Sequence, residues 1–230
     1  MSWTLIANTS IGSPDVNAVT SSSINTSGAN LIIINVGFYK GINNPLAPTD
    51  SNSNTWLTPG PVTVAGDFVN EIFLVTNPIV GSGHTFTFGD NSTFPSFEVE
   101  AWSFVDGTNT DANSNNGGGV AATTLSTGSI TPPDNGSLVI AGCMVVDTVG
   151  TIPTAIDSSF TLGDTEAIVA GQCQGSGIAY YVQPTSAAVN PTFTFNNSTR
   201  AAATIISFKE GTPPAATTVL RLLASLGVGR

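Results

Sequence analysis

Two glutamates set two positions apart, Glu98 and Glu100, are the residues of this chain best suited to chemistry. Alternate residues of a strand share a face, so both carboxyls and the indole of Trp102 belong to one surface. Jelly-roll glycosidases hold an acid and a nucleophile on a strand in this way, retaining enzymes about 5 Å apart, with an aromatic ring to stack on the sugar. The matching strand in the second half, Ala201–Phe208, carries no acid. A solvated face at the sheet surface accounts for the same residues, so the expectation is no catalytic residue. Glu98, Glu100, Trp102 and Trp56 stand as candidates for ligand binding.

His84 is the sole histidine, which excludes a His-rich metal site and leaves one imidazole to activate any nucleophile. It opens a strand and its counterpart is Pro191, so it reads as a polar residue at a strand edge. Asp50-Ser51-Asn52-Ser53-Asn54 resembles the start of a calcium loop, but Thr55 and Pro61 stand where such a loop needs Gly and Glu. A turn leading into Trp56 is expected, a design that Asp157-Ser158-Ser159-Phe160 repeats. Gly117-Gly118-Gly119 lacks the Lys and helix of a phosphate loop. No metal and no cofactor is expected. Cys143 and Cys173 read either as two small buried thiols or as a pair on adjacent strands.

What must position these residues is a chain built twice. His84-Thr85-Phe86-Thr87-Phe88 returns as Pro191-Thr192-Phe193-Thr194-Phe195, 107 positions on. Glu71–Val75 is matched by Ile178–Val182, and Asn30–Ile34 by Ser137–Ala141, at the same offset. Alternation puts Phe86 and Phe88, like Phe193 and Phe195, on one face as core anchors. Short runs rich in β-branched and aromatic residues, separated by Gly, Pro, Asn and Asp, recur through both halves. The run Leu31–Tyr39 is too continuously apolar for an edge strand and reads as central. Further strands are expected at 3–7, 20–24, 62–65, 71–75, 85–88 and 97–104, and at 124–130, 138–146, 160–162, 168–170, 178–182, 192–195 and 201–208.

The fold class is therefore all-β: two tandem, pseudo-duplicated antiparallel β-sandwich or jelly-roll-like units with a short C-terminal tail. The units span 1–107 and 123–211, joined by an Asn/Gly-rich linker over 108–122. Residues 212–230 are a Pro-rich tether and an apolar tail with Val219, Leu222, Leu223 and Leu226 on one helical stripe beside Leu220. Eight such residues need a partner surface, so the tail reads as a docking peptide, the alternative being a helix folded back on its own sandwich.

Only 9% of the 230 residues are charged, and the net charge is −10. The solvated surface must be made of Ser, Thr, Asn and Gly, and phosphate backbones are repelled, so no nucleic-acid partner is expected. No apolar run approaches the roughly 20 residues that span a bilayer, and the first residues lack the pattern of a signal peptide, so no membrane insertion and no standard export are expected.

The series Ser27–Ile33, Pro48–Ser51 with Asn54-Thr55-Trp56, and Gly81–Thr87 resembles a group of uncharacterised duplicated β-sandwich proteins found in phage virion genes and large bacterial surface proteins. In the second half, Ser129–Pro132, Gly136–Ile140, Ala179–Gln183, Val189–Phe193 and Ile205–Lys209 carry the likeness. It departs at Asn52-Ser53-Asn54 and in the tail. The resemblance implies an exposed, non-enzymatic role and carries over no site residues. The expected function is a virion structural subunit, a capsid decoration protein or a fibre or tail component. It would be made in the host cytoplasm and would assemble with itself or other virion proteins through Val219–Leu226. The alternatives are a lectin-like module for host-surface glycans and the glycosidase.

Overall fold

The computed structural model describes residues 3–39, 47–58, 62–64, 68–89, 94–104, 115–118, 120–171 and 174–209. Sixteen strands and no helix occur among them. The first half supplies β1 (Thr4–Gly12), β2 (Ala18–Thr20), β3 (Leu31–Tyr39), β4 (Thr49–Asp50), β5 (Val62–Val64), β6 (Phe68–Thr76), β7 (Phe86–Gly89) and β8 (Ser96–Ser103). The second supplies β9 (Asn115–Gly118), β10 (Ala122–Ser126), β11 (Ser137–Val145), β12 (Pro153–Ile156), β13 (Thr161–Glu166), β14 (Gly175–Gln183), β15 (Thr192–Thr199) and β16 (Ala201–Phe208).

Each half folds as a five-stranded sheet, ordered β1-β8-β3-β6-β5 or β9-β16-β11-β14-β13, and a three-stranded sheet, ordered β2-β7-β4 or β10-β15-β12. The second half repeats the first strand for strand. All pairings are antiparallel. Within the first half, Ile32, Ile34, Val36 and Phe38 of β3 meet Phe86 and Phe88 of β7, and Phe88 lies 5.1 Å from the ring of Phe38 and 5.6 Å from that of Phe73. Val139, Ala141, Cys143 and Val145 meet Phe193 and Phe195 in the second. The four phenylalanines are buried, as alternation requires, each contributing about 2 kcal/mol or more.

The continuous apolarity of β3 and β11 has a further cause, because the odd face of β3 is buried too. The two five-stranded sheets pack on one another: β3 lies over β11, β8 over β14, β6 over β16, β1 over β13 and β5 over β9. Every one of these crossings has its mate with first and second halves exchanged, which is the pattern of an approximate twofold axis between β3 and β11. Leu31, Ile33, Ile72, Leu74 and Trp102 from one side and Leu138, Ile140, Ile178, Ile206 and Phe208 from the other form a third core there. The molecule thus has four β layers.

Several expectations change. The strand expected at 160–162 runs on to Glu166 as β13, where pairing with β14 overrides the poor β-propensity of Gly163 and Asp164, with a register shift between Leu162 and Thr165, and residues 168–170, expected as a further strand, form none. Asn115–Gly118, assigned to the linker, pairs with β16 as an edge strand. The short β4, from a polar segment, and β12, which starts at Pro153, are recruited by β7 and β15. Cys143 is a free buried thiol. Cys173 and the tail residues Val219, Leu220, Leu222, Leu223 and Leu226 lie outside the described residues.

Candidate functional site

β8 runs between β1 and β3 and divides its side chains by parity. Phe97, Val99 and Ala101 enter the first sandwich, while Ser96, Glu98, Glu100 and Trp102 share the opposite face. The expectation that both carboxyls and the indole share one face holds; the expectation that this face is solvated does not. It is covered by β14 and β13, leaving Glu98 0%, Glu100 1% and Trp102 2% exposed.

Glu98 is held across the joint between the sheets. Its Oε2 accepts from Asn35 Nδ2 at 2.9 Å, and its Oε1 accepts from Ser176 Oγ of the other half at 2.6 Å, with Ser96 Oγ 2.7 Å from the same hydroxyl. Asn35 Nδ2 also reaches the carbonyls of Cys143 at 3.2 Å and Gly177 at 3.1 Å, and Asn70 Nδ2 donates to Asn35 Oδ1 at 2.7 Å. Glu100 Oε2 accepts from Trp102 Nε1 at 2.9 Å, but its buried Oε1 has no hydrogen-bond partner among the described residues. The Trp102 ring stands edge-on to Tyr180 of the second half, 4.9 Å between centroids.

Burial pushes Glu98 well above the usual carboxylate range; the bonds from Ser176 and Asn35 oppose this, and Glu166 and Asp164 on β13 add to it. Burial likewise raises Glu100 to about 8, against the bond from Trp102 and with help from Asp164. Burial and the nearby Glu98 push up the Cys143 thiol. At neutral pH Glu100 is therefore protonated within the buried joint. A retaining glycosidase needs a nucleophile that a sugar can reach, and both carboxyls of this pair are buried. Trp102 cannot stack on a ligand from solution, for the same reason.

The second constellation centres on Asp50. Its Oδ1 accepts from the backbone N–H of Asn52 at 2.8 Å, from Asn54 Nδ2 at 3.1 Å, and pairs with His84 Nε2 at 3.0 Å; Oδ2 accepts from Trp56 Nε1 at 3.0 Å. The other imidazole nitrogen, Nδ1, is 3.0 Å from Thr26 Oγ1. Burial would raise Asp50, but the bonds from His84, Asn52 and Asn54 outweigh it and leave the carboxyl below its ordinary value. The order Asp–His–Thr resembles a nucleophile relay. Yet Thr26 is 0% exposed, its hydroxyl donates to Gly81 O at 3.2 Å and accepts from Gly81 N–H at 3.1 Å. The group is a clip that fastens the Asp50–Trp56 turn to the start of β7. His84, read as a polar residue at a strand edge, bridges to Ile24 and is buried, its ring 4.3 Å from that of Phe86. Trp56, 9% exposed with its indole N–H spent on Asp50, is a core residue rather than a ligand platform.

Among the described residues no group of three or more His, Cys, Asp or Glu is placed to hold a metal ion. An open cleft of about 330 Å³ lies where the two halves meet, lined by Tyr39, Phe68, Val146, Asp147, Val149, Ile168 and Gly171. Tyr39 and Phe68 make an edge-to-face pair at 5.5 Å, and the Arg200 guanidinium sits 5.5 Å from the Phe68 centroid. Asn35, the hub of the joint, was missed in sequence, although a lone Asn inside Leu31–Tyr39 is a signal that one face meets polar groups. Comparison of the chain with protein families, with characterised proteins and with solved structures finds no match.

Proposed function

We propose that the protein is a non-enzymatic structural subunit, of the kind displayed on a phage particle as a capsid decoration or a fibre or tail component. One observation carries the non-enzymatic part. The residue types that suggest chemistry, Glu98, Glu100, Trp102, His84 and Trp56, together with the carboxyl of Asp50, are buried and bonded in the packing within and between the sandwiches, where the work they do is cohesion. The virion part is supported by the resemblance of residues 20 to 210 to duplicated sandwiches of phage genes and by a surface poor in charge. Assembly is assigned to the apolar segment Val219–Leu226. Deleting residues 212–230 is expected to leave the melting temperature unchanged while sedimentation shows the oligomer lost; a truncated chain that still assembles overturns the assignment.

The cleft favours a second reading, glycan binding, with the task moved from Trp56 and Trp102 to Tyr39 and Phe68, half-buried rings that line it beside the carboxylate of Asp147, since ligand sites pair aromatic walls with a few polar groups. A glycan array is expected to show hits that Tyr39→Ala abolishes; an array with none removes the reading.

A further inference from the structure

The two five-stranded sheets meet through equivalent strands, yet the residues at their contact are not equivalent. Asn35 of β3 and Gly142 of β11 occupy the same place in the two repeats, 107 positions apart, and they face each other across the approximate twofold. A Cβ added at Gly142 would lie 2.0 Å from Asn35 Oδ1 and 2.6 Å from its Cγ. Two residues along, the relation inverts. Gly37 and Met144 are again equivalent, and a Cβ added at Gly37 would lie 2.8 Å from Met144 Cβ. Each half therefore carries one knob and one hole, in opposite order: Asn then Gly in the first half, Gly then Met in the second.

We propose that these faces are a heterotypic recognition surface, on which the five-stranded sheet of a first half accepts only that of a second half, of its own chain or of another copy. Pairing two first halves in this geometry would put Asn35 where another Asn35 already lies and leave a void between two Gly37. Pairing two second halves would leave a void between two Gly142 and drive Met144 into Met144. Each like pairing combines an overlap with a void, both unfavourable in a close-packed joint. The hydrogen bonds point the same way. Asn35 Nδ2 reaches the Cys143 and Gly177 carbonyls only because Gly142 has no side chain, and Glu98 finds its Ser176 donor on the opposite half. This is the use of repulsive elements that keeps a binding face from accepting wrong partners. In a dense array of identical copies it directs any exchange of halves to first-with-second pairing. The inference stands whether or not the protein belongs to a virion.

The test uses the full chain and compares copying the code with exchanging it. Gly142→Asn with Met144→Gly gives both halves the Asn-then-Gly order; it is expected to lower the melting temperature by about 10 °C or more, or to abolish the cooperative transition. Adding Asn35→Gly and Gly37→Met exchanges the two codes and is expected to recover at least about half of that loss. A copied chain that melts within about 2 °C of the parent, or an exchanged chain no more stable than the copied one, overturns the proposal.

Discussion

The two halves share a scaffold and divide the polar work unequally. The first inserts Asn35, Asn70, Glu98 and Glu100 into the joint; at the places paired in the same register the second presents Gly142, Ser176, Thr204 and Ile206. The first also fastens its turn through Asp50 to His84 and Trp56, whose side chains are out of solvent, whereas Asp157 of the second is exposed and, among the described residues, its carboxyl accepts from Ser158 Oγ and the Thr192 N–H. Both halves, with the same strand order, keep what each core needs, while the surfaces that meet each other are complementary, because identical faces on a twofold would put like side chain against like.

If that contrast is right, positions common to both halves should respond alike and positions that differ should respond unlike. The largest effect is expected where the halves are alike: Phe86→Ala and Phe193→Ala, each in a fully buried ring position, should each cost about 3–5 kcal/mol in denaturant titration. A difference of more than about 2 kcal/mol between them would break the equivalence of the two cores. Gly142→Ala should cost about 3 kcal/mol or more, because Asn35 is pinned by Glu98 and Asn70 and cannot yield the space; Gly150→Ala, which meets nothing but has a φ of +81°, should cost about 1 kcal/mol.

The acid pair makes a pH prediction that belongs to the first half alone. Glu100 holds its proton more tightly when folded, so the native state binds more protons than the unfolded chain between the ordinary value of 4.5 and about 8. Stability from this group is complete below the lower value and is lost as the pH rises to the upper one. Glu100→Gln should therefore stabilise the protein by about 2 kcal/mol at pH 8 and change little at pH 4, by thermal melts across pH. The opposite sign applies to Asp50, whose lowered value means that its contribution is present at neutral pH and is lost as the pH falls through the folded value, below 3.8. Asp50→Asn should cost about 1–2 kcal/mol at pH 7, and the exposed Asp157→Asn about 0.5 kcal/mol or less. The smallest effect is expected at the surface pair of Arg200 with Asp147: Arg200→Ala should cost about 1 kcal/mol or less, and less again in high salt.

Much of this molecule is legible in its sequence. The 107-residue offset announced the repeat, alternation placed both phenylalanines of β7 and of β15 in a core, and the parity of β8 put Glu98, Glu100 and Trp102 on one face. These are local properties, set by the period of two along a strand. Local pattern is silent on what covers a face. Nothing near Glu98 in the chain says that Ser176, 78 positions later, donates to it, and nothing near Gly142 says that Asn35 fills its empty place. The tertiary structure decided that the carboxyl-bearing face is the inside of a joint, because burying two sheets against each other removes more apolar surface than leaving two sandwiches apart, and the carboxyls on that face lose their water with it.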